Sequence, residues 1–119
     1  MAKILIVDDD QEITNLFSKY LELEGYEMTA LNESARAVDL ARDIIPDLFI
    51  LDLMMPPPDG FKLCRLLRAE PQFALTPIII ITALSDTDSK VVAYGAGANE
   101  YMIKPFQVRE LADKIKSYF

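Results

Sequence analysis

The aliphatic residues of this chain fall in unbroken runs rather than in alternation, as in Ile4-Leu5-Ile6-Val7 and Phe49-Ile50-Leu51. A strand with one wet face alternates apolar and polar side chains, so such runs read as central strands of a parallel sheet covered on both faces. Both runs end abruptly in acid: Asp8, Asp9 and Asp10 follow the first, and Asp52 follows the second. Ligand sites in open α/β sheets lie beyond the carboxyl ends of the strands, where Asp8, Asp9 and Asp52 are expected to meet. Packed carboxylates repel one another and are costly to desolvate, so a cation is the expected counterpart. A hard divalent ion such as Mg²⁺ suits an all-oxygen donor set.

The rest of the chain alternates strands with helices. Strands are predicted over 3–7, 27–31, 48–51, 78–81 and 100–103, the second weaker and nearer an edge. Asp10 can cap a first helix whose inward face carries Ile13, Leu16, Phe17, Tyr20 and Leu21, with Gly25 as its stop. Asn32 or Ser34 is expected to cap a second helix through Val38, Ala41 and Ile45, closed by Pro46. Residues 60–69 have helical spacing through Phe61, Leu63, Leu66 and Leu67. A less apolar helix is expected over 86–94, and Val108, Leu111, Ala112, Ile115 and Phe119 mark one face of the last. Right-handed crossovers turn this (βα)₅ order into a doubly wound five-stranded α/β sheet with helices on both faces, the flavodoxin-like arrangement. At 119 residues and 51% hydrophobic, a single domain over 1–119 with a real core is expected.

Composition removes several classes of function. A net charge of −7 argues against direct binding to nucleic acid or to an anionic membrane, both of which need a basic surface. The lone Cys64 cannot form an internal disulfide and suits a reducing, cytoplasmic location. The apolar runs are of strand length, far short of the roughly 20 residues a spanning helix needs. With no histidine in the chain, a Ser-His-Asp triad, a His-based zinc site and a phosphohistidine on this chain are excluded.

Thr82 ends the fourth strand and Lys104 the fifth, so both side chains join the acids at the same sheet edge. A carboxylate nucleophile, a metal held by neighbouring acids, a hydroxyl donor and a compact ammonium together serve phosphoryl transfer to an aspartate. Such transfer depends on positioning and charge neutralisation, so no histidine is needed on this side of it.

Five segments in order, Asp8-Asp9, Asp52 within Asp-Leu-Met-Met-Pro-Pro-Pro-Asp-Gly, Thr82-Ala83, Tyr101 and Lys104-Pro105-Phe106, resemble the receiver domain of two-component response regulators. The resemblance spans the chain. It implies Asp52 as phosphoacceptor, with Mg²⁺ held by Asp8, Asp9, Asp52 and the main-chain carbonyl of Met54. It also implies that Lys104 pairs with the phosphoryl group, that Thr82 turns inward to bond it, that Tyr101 changes rotamer, and that Lys104-Pro105 is cis. The implied donor is a sensor histidine kinase or a histidine phosphotransfer protein. The implied output runs through the fourth helix, fifth strand and fifth helix, including Val92, Tyr94, Tyr101 and Lys114, to an effector domain or protein or to a phosphorylation-dependent homodimer. Such a chain is a signalling domain that catalyses only its own phosphorylation and dephosphorylation. It would be either free-standing or a part of a larger regulator.

Other readings of the same residues stay open at this point. Asp10 serves as a helix cap, and Tyr101 reads equally as a switch or as packing. A proline stands at position 58, where the family usually has methionine or leucine before Asp-Gly, which stiffens the turn. A degenerate receiver would bind partners without phosphorylation, and an Mg²⁺-dependent phosphohydrolase would share the Asp, Thr and Lys chemistry. A flavodoxin-like cofactor binder is disfavoured, because its phosphate would face Asp8-Asp9-Asp10.

Overall fold

In the computed structural model, which describes residues 1–119, five parallel strands lie in the order β2-β1-β3-β4-β5. They are β1 (Lys3–Val7), β2 (Glu27–Leu31), β3 (Leu48–Asp52), β4 (Ile78–Thr82) and β5 (Glu100–Ile103). The helices are α1 (Gln11–Leu23), α2 (Ala37–Ile44), α3 (Gly60–Ala69), α4 (Thr87–Gly95) and α5 (Val108–Lys116), with short 3₁₀ turns at Ser34–Arg36 and Pro71–Phe73. All residues of β3 and β4 are buried, as expected of strands covered on both faces.

The pleat sends successive side chains of each strand to opposite sides, which makes two cores. Leu5, Val7, Phe49, Leu51, Ile78 and Ile80 pack with Ala37, Ala41, Leu63, Leu67 and Ala93, so α2, α3 and α4 cover one face. Ile4, Ile6, Leu48, Ile50, Ile79 and Ile81 pack with Phe17, Leu21, Leu111 and Ile115 under α1 and α5. Phe49 meets Phe73 edge to face at 5.1 Å between centroids.

Acid starts three of the helices. Asp10 accepts from the main-chain N–H groups of Glu12 and Ile13, Asp59 from that of Lys62, and Asp86 from that of Ser89. The expected cap on the second helix is a correction. Neither Asn32 nor Ser34 caps it: a 3₁₀ turn comes first, and both side chains reach across to other loops instead. Leu16, expected to face inward, is exposed, and so are Leu66 and Ile45 of the apolar helix patterns. Ile45 ends α2 in the left-handed conformation at φ 48°, which turns its side chain out of the stripe. Phe119 lies beyond the end of α5 and stacks on Tyr26 at 6.0 Å. No helix is long and apolar enough to cross a membrane.

Candidate functional site

The fold brings β1, β3, β4 and β5 side by side, and their carboxyl ends deliver Asp8, Asp52, Thr82 and Lys104 to one edge. Carboxylate oxygens of Asp8, Asp9 and Asp52 lie within 4.8 Å of one another. Asp8 and Asp52 are buried, whereas Asp9 is exposed at the mouth. The Lys104 ammonium donates to Asp8 Oδ2 at 2.8 Å and reaches Asp52 Oδ2 at 3.5 Å. Asp8 Oδ1 also accepts from the Asp10 main-chain N–H at 2.9 Å, and Asp52 Oδ1 from that of Met54 at 3.4 Å.

Electrostatics follow from this crowding. Burial and the neighbouring Asp8 charge push the Asp52 carboxyl above its usual range, outweighing Lys104 and the main-chain donors of Met54 and Leu53. Burial works against the Lys104 ammonium, but the hydrogen bond to Asp8 and the charges of Asp52 and Asp8 overcome it, and its pKa is raised. Three carboxylates gather here and one ammonium contacts two of them, Asp8 and Asp52, so the cluster keeps a surplus of negative charge in a partly desolvated place. An all-oxygen donor set with surplus charge fits a hard dication such as Mg²⁺.

Thr82 is buried at the end of β4, and its Oγ1 accepts from the Leu84 main-chain N–H at 3.3 Å. Tyr101 does not enter the acid cluster. Its hydroxyl donates to the Leu84 carbonyl at 2.7 Å, the Lys90 ammonium lies 5.9 Å from the ring centroid, and Tyr94 packs alongside at 6.5 Å. Both polar groups of one residue, Leu84, are therefore held by the two side chains expected to switch. The Met54 side chain is exposed, on an apolar groove with Leu53, Met55, Phe61 and Leu84 whose rim carries Asp9 and Asp59. The Lys104-Pro105 bond is cis, and so is Pro57-Pro58.

Three residues beside the acids escape a reading of the sequence. Gly60 sits so near β3 that a Cβ there would lie 2.1 Å from the Asp52 carbonyl oxygen. Its only sequence signal is its place after Asp59 at a helix start. Asn32 donates to the Asp8 carbonyl at 2.8 Å and Ser34 to the Pro56 carbonyl at 2.8 Å, contacts 24 and 22 residues away along the chain. A polar residue after a strand reads first as a helix cap, so only tertiary structure shows them.

Comparison with known proteins agrees with this geometry. Residues 4–116 match the response regulator receiver domain. The transcriptional regulatory protein GltR of Pseudomonas aeruginosa is 41% identical over 114 residues, covering 96% of this chain and 47% of GltR. The DNA-binding dual master transcriptional regulator RpaA of Synechocystis is 38% identical over 117 residues, covering 98% of this chain and 48% of RpaA. This chain thus spans about half the length of these relatives. The chemotaxis protein CheY4 of Vibrio cholerae superimposes with a TM-score of 0.95 at 29% identity, covering 100% of this chain and 99% of CheY4. The chain belongs to the response regulator receiver domain family of two-component signalling.

Proposed function

We propose that this chain is a phosphorylation-activated switch in which Asp52 is the phosphoacceptor. The observation that carries the reading is the convergence of the Asp8, Asp9 and Asp52 carboxylates at the ends of β1 and β3, with the Lys104 ammonium on Asp8 and Asp52. An Asp52 oxygen attacks the phosphorus of a phosphorylated histidine on a sensor kinase or phosphotransfer protein. The P–N bond breaks, and the leaving nitrogen takes a proton. Lys104, already within reach of Asp52, pairs with the incoming phosphoryl oxygens. Asp8, Asp9 and Asp52, with the Met54 carbonyl, would hold Mg²⁺, which when bound offsets the charge on the carboxylates and on the phosphoryl group.

The readout passes through Leu84. If the Thr82 hydroxyl turns to donate to the phosphoryl group, it lets go of the Leu84 N–H, and the main chain that also anchors Tyr101 is free to shift. Tyr101 then leaves its position beside Tyr94, and the surface of α4, β5 and α5 changes. Exposed Val91, Val92 and Tyr94 lie on that surface, which would engage an effector domain or protein, or a second copy of the chain. The domain is a signalling element whose only chemistry is its own phosphorylation and dephosphorylation.

Intact mass after incubation with Mg²⁺ and phosphoramidate tests the reading without the kinase. One phosphoryl adduct is expected, absent with Asp52→Asn and absent with EDTA. Protein that stays unmodified under every condition would make this a domain that binds partners without phosphorylation.

A further inference from the structure

Asp8 directly follows β1 and Asp52 ends β3, paired neighbours in the sheet, but the ladder between them stops at Val7 and Leu51; beyond it, side chains of the β2–α2 turn reach both the β1–α1 and the β3–α3 loops. Asn32 Nδ2 donates to the Asp8 carbonyl at 2.8 Å and to Thr14 Oγ1 at 3.0 Å. The Thr14 hydroxyl is fully buried and donates to the Gln11 carbonyl, so it can only accept from Asn32, and this fixes which way the Asn32 amide faces. Two residues on, Ser34 is buried and its hydroxyl donates to the Pro56 carbonyl in the β3–α3 loop. Pro56, Pro57 and Pro58 have no N–H groups, so that loop has few donors of its own and takes one from outside.

The Asp8 carbonyl belongs to the peptide that links Asp8 to Asp9. Asp8 is otherwise pinned: its N–H donates to Leu31, and its carboxylate accepts from Asp10 and Lys104. The remaining freedom in this segment is rotation of the Asp8–Asp9 peptide plane, which sets where the exposed Asp9 carboxylate projects. Asn32 holds that plane. Ser34 holds the loop that follows Asp52.

We propose that Asn32 is a positioning residue for divalent-cation binding, acting through the Asp8–Asp9 peptide, with Ser34 as the second arm of one brace across the loops that follow β1 and β3. The proposal rests on the reading of Asp8, Asp9 and Asp52 as a cation site. Groups that orient metal ligands without touching the metal typically change affinity about 10–100-fold when removed.

Isothermal titration of Mg²⁺ into the protein and into Asn32→Ala reads the effect directly. The variant is expected to bind Mg²⁺ about tenfold or more weakly. Its phosphorylation by phosphoramidate should slow at low Mg²⁺ and return to the unaltered rate once Mg²⁺ saturates. A merely structural role would lower the melting temperature and leave that Mg²⁺ dependence in place. Glu33→Gln, on the same turn but exposed, should bind Mg²⁺ as the parent does. If Asn32→Ala does not fold, Thr14→Val carries the test, since it removes the hydroxyl that aims the amide while keeping the shape, and a smaller loss in the same direction is expected. Unchanged affinity in either folded variant overturns the proposal. A parent protein that binds no Mg²⁺ overturns instead the cation site on which it rests.

Discussion

Gly60 shows how one missing side chain leaves room for Asp52, the proposed phosphoacceptor. A Cβ at this position would meet the Asp52 carbonyl oxygen at 2.1 Å and the Leu53 Cα at 2.6 Å, and both obstacles are backbone with no flexible end to yield. Gly60→Ala must therefore push α3 away from β3 or displace Asp52. Overpacking of this kind costs about 1–3 kcal/mol. A displacement of about 1 Å at a reacting group can cost about 10²-fold in rate. The expected result is a lower melting temperature and, in protein that still folds, phosphorylation slowed far more than the stability loss explains. The acids themselves were legible because each ends a run of consecutive aliphatic residues, and a sheet edge is the one place such an ending can lead. Asn32, Ser34 and Gly60 were not, because their partners are set by how loops cross in space, which no local spacing encodes.

Beyond the strand ladders and the two cores, polar side chains also tie elements together, and Arg68 at the end of α3 is the clearest case. Its guanidinium donates to the carbonyls of Phe73, Thr76 and Gly97 and to Asn99 Oδ1, and Asn99 Oδ1 also accepts from the Ile78 N–H at the start of β4. One half-buried side chain thus ties α3 to the turns before β4 and before β5. All its acceptors are neutral, and burial lowers its pKa. Arg68→Ala leaves these carbonyls without their donor. With about 1–3 kcal/mol for each buried group left unsatisfied, and water replacing some, a loss of about 2–4 kcal/mol is expected in urea denaturation. Arg68→Lys should recover only part of it, since an ammonium cannot span the same set of acceptors. Strands were read from the sequence more faithfully than helix faces. In α1 the buried residues are Thr14, Phe17 and Leu21. At about 100° per residue, Leu16 lies about 130° around the helix from the centre of that stripe, so it faces water although its spacing from Ile13 and Tyr20 looks helical. Hydrophobicity marked a wide stripe; the sheet covers a narrow one.

At the far side of the β5–α5 contact, the Tyr118 hydroxyl donates to Glu100 Oε2 at 2.9 Å, and the Lys114 ammonium lies 2.9 Å from Glu100 Oε1. Burial, then the hydrogen bond with Glu100, push the Tyr118 phenol up to about 12. A pKa raised in the folded state stabilises the protonated form. This contribution is present in full below the unfolded value of about 10 and is lost as pH rises through about 12. Ultraviolet titration of the phenols should show a last phase near that pH, missing in Tyr118→Phe. Glu100 runs the other way: its hydrogen bond with Lys114 lowers its pKa, against the effect of burial, so its contribution holds above about pH 4.5 and fades as acid is added.

The whole molecule carries a net charge of −7, and the acid cluster adds a concentrated local share of it. Two effects of added Mg²⁺ must then be told apart. Any salt screens the general self-repulsion, whereas an ion that binds only the folded state stabilises by mass action, about 2.7 kcal/mol at 100 times its dissociation constant. For a domain of this size that is a rise of about 10 °C in melting temperature. Na⁺ at matched ionic strength should give a small part of the rise, and EDTA should remove the Mg²⁺-specific part. Asp52→Asn separates the terms further. Burial and Asp8 disfavour the Asp52 charge in the folded state, so its neutral isostere should melt higher than the parent without Mg²⁺ and gain less when Mg²⁺ is added. Equal rises with Na⁺ and Mg²⁺ would mean that the cluster answers to ionic strength alone. Crossing curves, with the variant more stable without the ion and the parent more stable with it, are the signature of carboxylates whose repulsion is tolerated because a cation joins them.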